Sequence, residues 1–260
     1  MRLTMTTGAE VGRYSIQAVA TSLRVLDELA HRPWQTAKEC AESIGITHTQ
    51  AFRILATLEE SGYVQRNAFK KYAVGYKGFV LGKSAEQEVS LIRQAASIMD
   101  QLTERTSENV HIVRRDGLER IVVDVRESRH RIRLVSPIGN RHPLYIGGTG
   151  LVILAHSPNE VIDAVLAQSL QRFSQHTTVD PELIRQMLPK IRSDGYHIAI
   201  QDFDDDAFSV AGPIWNADGT VDASLCVTGP VMRFDAQKQS KYTALVLDAC
   251  KLVSAGLGHY

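Results

Sequence analysis

One capping pattern appears twice, on either side of a single glycine: Thr36-Ala37-Lys38-Glu39, then Gly45, then Thr47-His48-Thr49-Gln50. In each stretch the Thr hydroxyl can accept the backbone N–H three residues on, while the Glu or Gln side chain reaches back to the Thr N–H. Both stretches therefore mark helix starts, and Gly45, able to adopt the left-handed conformation, stops the helix between them. The pattern predicts a short helix to Ile44, a tight turn, and a third helix with Ala51, Leu55 and Leu58 on its apolar face, closed by Ser61-Gly62. Upstream, Ile16, Val19, Leu23, Leu26 and Ala30 recur at helical spacing until His31-Arg32-Pro33 ends the run. Downstream, Tyr63 to Arg66 and Tyr72 to Val74 read as short strands flanking Asn67 to Lys71. That order predicts a winged helix-turn-helix over residues 13–83.

In such a unit the third helix enters the major groove of double-stranded DNA, with its N-terminal side chains at the base edges. His48, Thr49, Gln50 and Arg53 lie there off the apolar face, and Thr36 and Thr47 stand at the two helix starts. Gln suits adenine and Arg suits guanine. Arg66, Lys70 and Lys71 on the hairpin are candidates for phosphate contacts, which position a protein without reading sequence. The formal net charge of the 260-residue chain is zero, which by itself argues against a nucleic-acid partner. The charge is unevenly spread, however: residues 1–83 hold 11 Lys+Arg against 7 Asp+Glu, a net of +4, and the remainder holds 18 against 22, a net of −4. The basic part is the part with the helix-turn-helix.

Residues 84–107 are polar and helical in period, with Val89, Ile92, Ala96, Met99 and Leu102 on one face, and read as a linker helix. Beyond it, residues 108–260 read as a second domain. Strands are predicted at Val110 to Arg114, Arg120 to Val125, Ile132 to Val135, Tyr196 to Gln201, Ser209 to Ile214 and Val221 to Thr228. Helices open at Ser157-Pro158-Asn159-Glu160 and at Asp180-Pro181, and a last one spans about Ala236 to Ala255. The class is α+β, an antiparallel sheet with helices expected on one face.

Several motifs together carry a family resemblance. The winged helix, Tyr145 to Ala155 (YIGGTGLVILA), Val210-Ala211-Gly212-Pro213-Ile214, Asn216 to Gly219 and Val227-Thr228-Gly229-Pro230 resemble the IclR family of bacterial regulators from about Ile16 to Leu257. The resemblance implies a GAF-like effector-binding domain, dimerisation through the N-terminal half and often a dimer of dimers. It places the effector pocket at Gly148 and Thr149 on the loop entering a helix, Ser209 on one strand, and Cys226 and Thr228 on the next. Cys226 and Thr228 are two apart on a strand and share a face, and the start of a helix near Thr149 attracts anions. A small carboxylate or aromatic acid fits that chemistry, with Leu134, Ile146 and Leu225 as apolar neighbours. The chain departs from the family's pattern at Leu151, where Lys is frequent, at Asp206, where Gly is frequent, and at Ala199, where some members place an acidic residue on the effector.

An enzyme is the main competing class, and the chain contains no H-E-x-x-H, no G-x-S-x-G, no P-loop and no dinucleotide fingerprint. Asp202, Asp204, Asp205 and Asp206, near His197, lack the Gly and terminal Glu of a calcium loop and read as a solvated turn. No catalytic residue, metal or cofactor is expected. A purely architectural DNA binder is the third class, but it has no need of a large acidic second domain, which suits a sensor. Cys40, Cys226 and Cys250 form no disulfide framework or C-x-x-C pair, and Cys226 in an apolar strand reads as a small hydrophobe rather than a redox thiol. No run is long enough to cross a bilayer and the first 15 residues hold no apolar segment, so the expected location is the cytoplasm, without a membrane partner.

Overall fold

A computed structural model describes residues 16–88 and 90–259, and these divide into two compact units that part at that junction. In the first unit α1 (Gln17–His31), α2 (Ala37–Ile44) and α3 (His48–Glu60) precede a two-stranded antiparallel hairpin of β1 (Val64–Arg66) and β2 (Tyr72–Val74). Gly45 has φ of 72°, so the turn between α2 and α3 uses the left-handed conformation that glycine adopts without penalty. Val25, Leu29, Cys40, Ile44, Leu55, Val64 and Tyr72 close a small core from all five elements. Helix α4 (Tyr76–Glu88) completes the unit.

The expected single helix over 84–107 is two helices, α4 and α5 (Ser90–Thr106), the first beginning well upstream at Tyr76. Of the expected face, Met99 and Leu102 are buried as expected, the half-buried Ile92 and Ala96 give way to the buried Leu91 and Ala95, and Val89 lies outside the described residues. Two apolar stripes lie side by side on this helix, and the sheet beneath it selects the one that includes Leu91 and Ala95.

The second unit is built on one antiparallel sheet of order β5-β4-β3-β8-β7-β6, comprising β3 (Asn109–Asp116), β4 (Glu119–Arg126), β5 (Arg141–Pro143), β6 (His197–Ile200), β7 (Ala207–Trp215) and β8 (Val221–Pro230). Residues 132–135, expected as a strand, lie in an irregular segment, and Arg141–Pro143 is the strand that pairs with β4 instead. The alternation Arg131-Ile132-Arg133-Leu134 fits the strand period, but no neighbouring strand pairs with it among the described residues.

Helices cover both faces of this sheet, not one. α5 and α9 (Ala236–Gly256) pack Met99, Leu102, Val246 and Val253 against Val110, Ile112, Leu225 and Val227. On the opposite face α6 (Gly147–His156), α7 (Asn159–Leu166) and α8 (Pro181–Asp194) pack Val152, Ile162, Ile184 and Leu188 towards Val113, Val122, Ala211 and Cys226. Because side chains alternate across a strand, Cys226 and Thr228 of β8 face away from the α5–α9 layer that receives Leu225 and Val227.

Candidate functional site

The DNA-reading candidates stand on the first unit. Both capping boxes form. The Thr36 hydroxyl accepts the Glu39 N–H at 3.3 Å and Glu39 Oε2 accepts the Thr36 N–H at 2.7 Å; the hydrogen bonds from Thr36 hold the Glu39 carboxyl below its ordinary range. At α3 the Thr47 hydroxyl accepts the Gln50 N–H at 3.3 Å, while Gln50 Oε1 accepts the Thr47 N–H at 3.1 Å and the Thr47 hydroxyl at 3.0 Å. Gln50 is thus a structural cap as well as a base-reading candidate, and its two remaining donors are on Nε2.

His48, Thr49, Gln50 and Arg53 are exposed on α3. Phe52, which sequence reasoning passed over, is 48% exposed on the same helix. The available signal was an aromatic residue off the buried Ala51–Leu55 stripe, and such a ring suits a thymine methyl. On the hairpin, Asn67 Oδ1 accepts the N–H groups of Phe69 and Lys71, both at 3.0 Å, and Lys70 takes a positive φ of 59°. This tight turn presents Lys70 beside Phe69, which is 82% exposed. Arg66 places its guanidinium 5.4 Å from the Tyr72 ring centroid.

The second unit contains a cavity of about 150 Å³ between the sheet and the start of α6. Gly148, Thr149, Ser209, Cys226 and Thr228 all line it. Strand register explains the grouping, because Ser209 pairs with Thr228 and with Ala199, and Cys226 pairs with His111 and with Ala211. Gly148 has no room for a side chain, since a Cβ there would lie 2.7 Å from Ser209 Oγ. Leu134 lines the cavity as expected. Ile146 and Leu225 do not: Leu225 points into the α5–α9 layer, one residue out of phase with Cys226.

The start of α6 is less open to an anion than its position suggests. The Gly147 N–H already donates to Asp202 Oδ2 at 2.9 Å and the Gly148 N–H to Ser209 Oγ at 3.1 Å. The Thr228 hydroxyl donates to Phe208 O at 2.6 Å, leaving its oxygen as an acceptor.

Three basic side chains in the wall were not picked out by sequence: Arg120, His111 and His142. Arg120 on β4 pairs in register with His142 on β5. Burial lowers the Arg120 guanidinium to about 10, although Cys226 and Asp202 act to raise it. Burial, then the Arg120 charge, lowers both His111 and His142 to about 4, so both imidazoles are neutral near pH 7. His142 meets the Phe203 ring edge-on with centroids 4.6 Å apart. Burial pushes the Cys226 thiol up to about 12, which keeps it protonated and unreactive. Asp202 is drawn into the wall, whereas Asp204, Asp205 and Asp206 are exposed, and no cluster able to hold a metal ion occurs among the described residues.

Residues 18–68 match the family described as IclR helix-turn-helix domain, and residues 84–255 match Bacterial transcriptional regulator IclR C-terminal. The chain belongs to the IclR family. Among curated IclR relatives, the HTH-type transcriptional regulator KipR of Bacillus subtilis is 28% identical over 244 residues, covering 94% of this chain and 98% of KipR. The IclR of Thermotoga maritima superposes with a TM-score of 0.78 at 26% identity, covering 93% of this chain and 98% of that one. An IclR homologue of Microbacterium hydrocarbonoxydans, solved in complex with 4-hydroxybenzoate, shares the fold with a TM-score of 0.84 at 22% identity, covering 92% and 98%. The chain is therefore a DNA-binding transcriptional regulator with an IclR effector domain, and not an enzyme. Of its departures from the IclR pattern, Ala199 lies in the cavity wall, Leu151 is buried in the α6–α8 layer, and Asp206 is exposed. No helix among the described residues is long and apolar enough to cross a membrane.

Proposed function

We propose that this regulator binds a double-stranded operator as a dimer or dimer of dimers in the cytoplasm, and senses a small organic acid or aromatic metabolite of a catabolic pathway. The observation that carries the sensing half is the cavity at Gly148, Thr149, Ser209, Cys226 and Thr228, in a chain that also presents an exposed reading helix. A cavity near 150 Å³ is large enough for a benzene-sized body. The 4-hydroxybenzoate bound by the Microbacterium homologue is an acid of this general kind.

His48, Thr49, Gln50 and Arg53 read bases, Thr36 and Thr47 stand at the helix starts near the backbone, and Arg66, Lys70 and Lys71 bind phosphate. Self-association is supported by an open apolar groove of about 950 Å³ in the first unit, where Val19, Leu23 and Leu26 of α1 meet Ile54 and Leu58 of α3. Val19 and Leu23 are more than half exposed, a condition that a soluble chain corrects by pairing. Selection of operator sequences from random duplexes, followed by titration with carboxylate metabolites, tests the proposal. A metabolite should change operator affinity through the second unit, and Thr228→Val should blunt that response while leaving operator affinity without metabolite nearly unchanged. A full response in the variant removes Thr228 from the site.

A further inference from the structure

Arg120 is 7% exposed, and its Nη1 donates to Pro143 O at 3.0 Å and to Ile146 O at 2.5 Å. A guanidinium has five N–H donors in a planar fork. The other three, on Nε and Nη2, have no protein acceptor among the described residues, and no carboxylate there lies within 4.0 Å of the group. The only side-chain atoms among those residues that are both sealed off and unpartnered are His111 Nε2 and Arg115 Nε. The open donors of Arg120 therefore abut accessible space, and the space that Arg120 lines is the cavity.

Glycines let this cation sit against the start of α6. A Cβ on Gly147 would lie 3.0 Å from Nη2 and one on Gly150 would lie 2.6 Å from Nη1. Arg120 thus adds a full positive charge where the helix already presents its positive end. Asp202 is the nearby resident carboxylate, but it spends Oδ2 on the Gly147 N–H, and Asp204 at the rim is exposed. His111 and His142 contribute no charge at neutral pH. A charge buried with donors unmatched is costly unless an anion meets it.

We infer that Arg120 is the specificity-determining residue of the effector cavity: its Nε–Nη2 edge takes the carboxylate of a monoacid in bidentate fashion, and Val113, Val122 and Leu134 receive an apolar body no larger than a benzene ring. This rests on the reading of the cavity as a ligand site, and it names the group that selects the ligand. Carboxylate and guanidinium edges match in geometry, and such charge-assisted pairs are the stronger hydrogen bonds of proteins. The anion pole is therefore a side chain of β4, rather than the α6 amides that Asp202 and Ser209 already occupy.

The test is calorimetry on the full-length protein without DNA, near pH 7.5, with pyruvate, pentanoate and benzoate each compared with its amide, and with benzylammonium. At least one acid should bind tenfold or more tightly than its amide, and Arg120→Met should weaken that acid roughly 10- to 100-fold while leaving the amide unchanged. Arg120→Lys should keep the preference for acid over amide at reduced affinity, because it retains charge and loses the fork. Should Arg120→Met fail to fold, the Nε–H resonance of Arg120 in the wild-type protein, shifting on addition of that acid, is the second readout. The inference is overturned if no acid outbinds its amide, if benzylammonium binds best through Asp202 and Asp204, or if Arg120→Met keeps the preference. Acids that bind through Arg120 without altering operator affinity would instead refute the regulatory reading and leave this one standing.

Discussion

Gln50 sits where two demands compete, and one substitution separates them. Its Oε1 has two acceptor sites, and the Thr47 N–H at 3.1 Å and the Thr47 hydroxyl at 3.0 Å take both. A bidentate pair with adenine needs Oε1 as acceptor and Nε2 as donor, so forming it would open the capping box. With the box intact, Nε2 can still donate to a base acceptor such as a purine N7 or guanine O6. Gln50→Glu keeps an oxygen at the same reach and adds negative charge in the first turn, which favours the helix by about 0.3 to 1 kcal/mol. Gln50→Ala removes the reaching oxygen and should cost about 0.5 to 1 kcal/mol. For a unit of this size that lowers the unfolding midpoint by roughly 2 to 8 °C, whereas Gln50→Glu should leave it level or slightly raised. Operator binding should respond differently. Gln50→Glu replaces a donor with an acceptor facing an anionic partner and should cost about 1 to 3 kcal/mol of specific affinity, roughly 5- to 150-fold. Thermal melts by circular dichroism and fluorescence anisotropy on a selected operator at fixed salt supply both numbers. Wild-type operator affinity in Gln50→Glu would refute base reading by Gln50, and an unchanged midpoint in Gln50→Ala would refute its capping role.

Other outcomes follow from the same structure. Lys70→Ala should weaken specific and random DNA alike and reduce the slope of log affinity against log salt by roughly 0.9, whereas Arg53→Ala should cost about 1 to 3 kcal/mol and relax one operator position; gel-shift titrations at several salt concentrations distinguish them. His111, held at about 4 when folded against an ordinary 6.5, stays neutral while its unfolded counterpart takes up a proton, so the stability it supplies is present above pH 6.5 and is lost as pH falls towards 4. Denaturant melts should show up to about 1.4 kcal/mol lost per pH unit in that window from this group, and His111→Leu should flatten the slope. With its thiol near 12 and its side chain in the cavity wall, Cys226 should resist iodoacetamide in the native protein and react on unfolding. Rapid native labelling of Cys226 would contradict its burial.

The first unit was the more legible part because its determinants are local. Thr36, Glu39, Gly45, Thr47 and Gln50 act within a few residues of one another, and all of them take the backbone roles their spacing dictates. The family motifs likewise placed Gly148, Thr149, Ser209, Cys226 and Thr228 around what proves to be one cavity. What escaped depends on distant partners. Ile92 and Ala96 form as good an apolar stripe as Leu91 and Ala95 until the sheet selects between them. Residues 132–135 have a strand's alternation, which cannot reveal that β4 takes Arg141–Pro143 as its neighbour. Arg120 and His111 are polar positions on predicted strands, and period two says which residues share a face, but not whether that face meets water or a cavity.

That same alternation links the cavity to the α5–α9 layer on the other face of the sheet. Strand β3 presents His111 to the cavity and Val110 and Ile112 to the layer of α5 and α9, and β8 presents Cys226 and Thr228 to the cavity and Leu225 and Val227 to that layer. The two strands are locked in register from Asn109↔Thr228 to Arg114↔Ala223. They cannot slip past one another without moving every side chain to a new partner, and a close-packed core responds to displacement by discrete repacking. On the proposed reading, an acid held by Arg120 beside Cys226 and Thr228 pushes on strands packed against α5, the helix that follows the DNA-binding unit in the chain. The consequence is a coupling that can be measured across the sheet. Met99→Ala, on the buried face of α5, should alter the effector's influence on operator binding more than it alters effector affinity, and a double-mutant cycle with Thr228→Val should show non-additivity of about 0.5 to 2 kcal/mol. Strict additivity between those two positions would mean that the signal leaves the cavity by another wall.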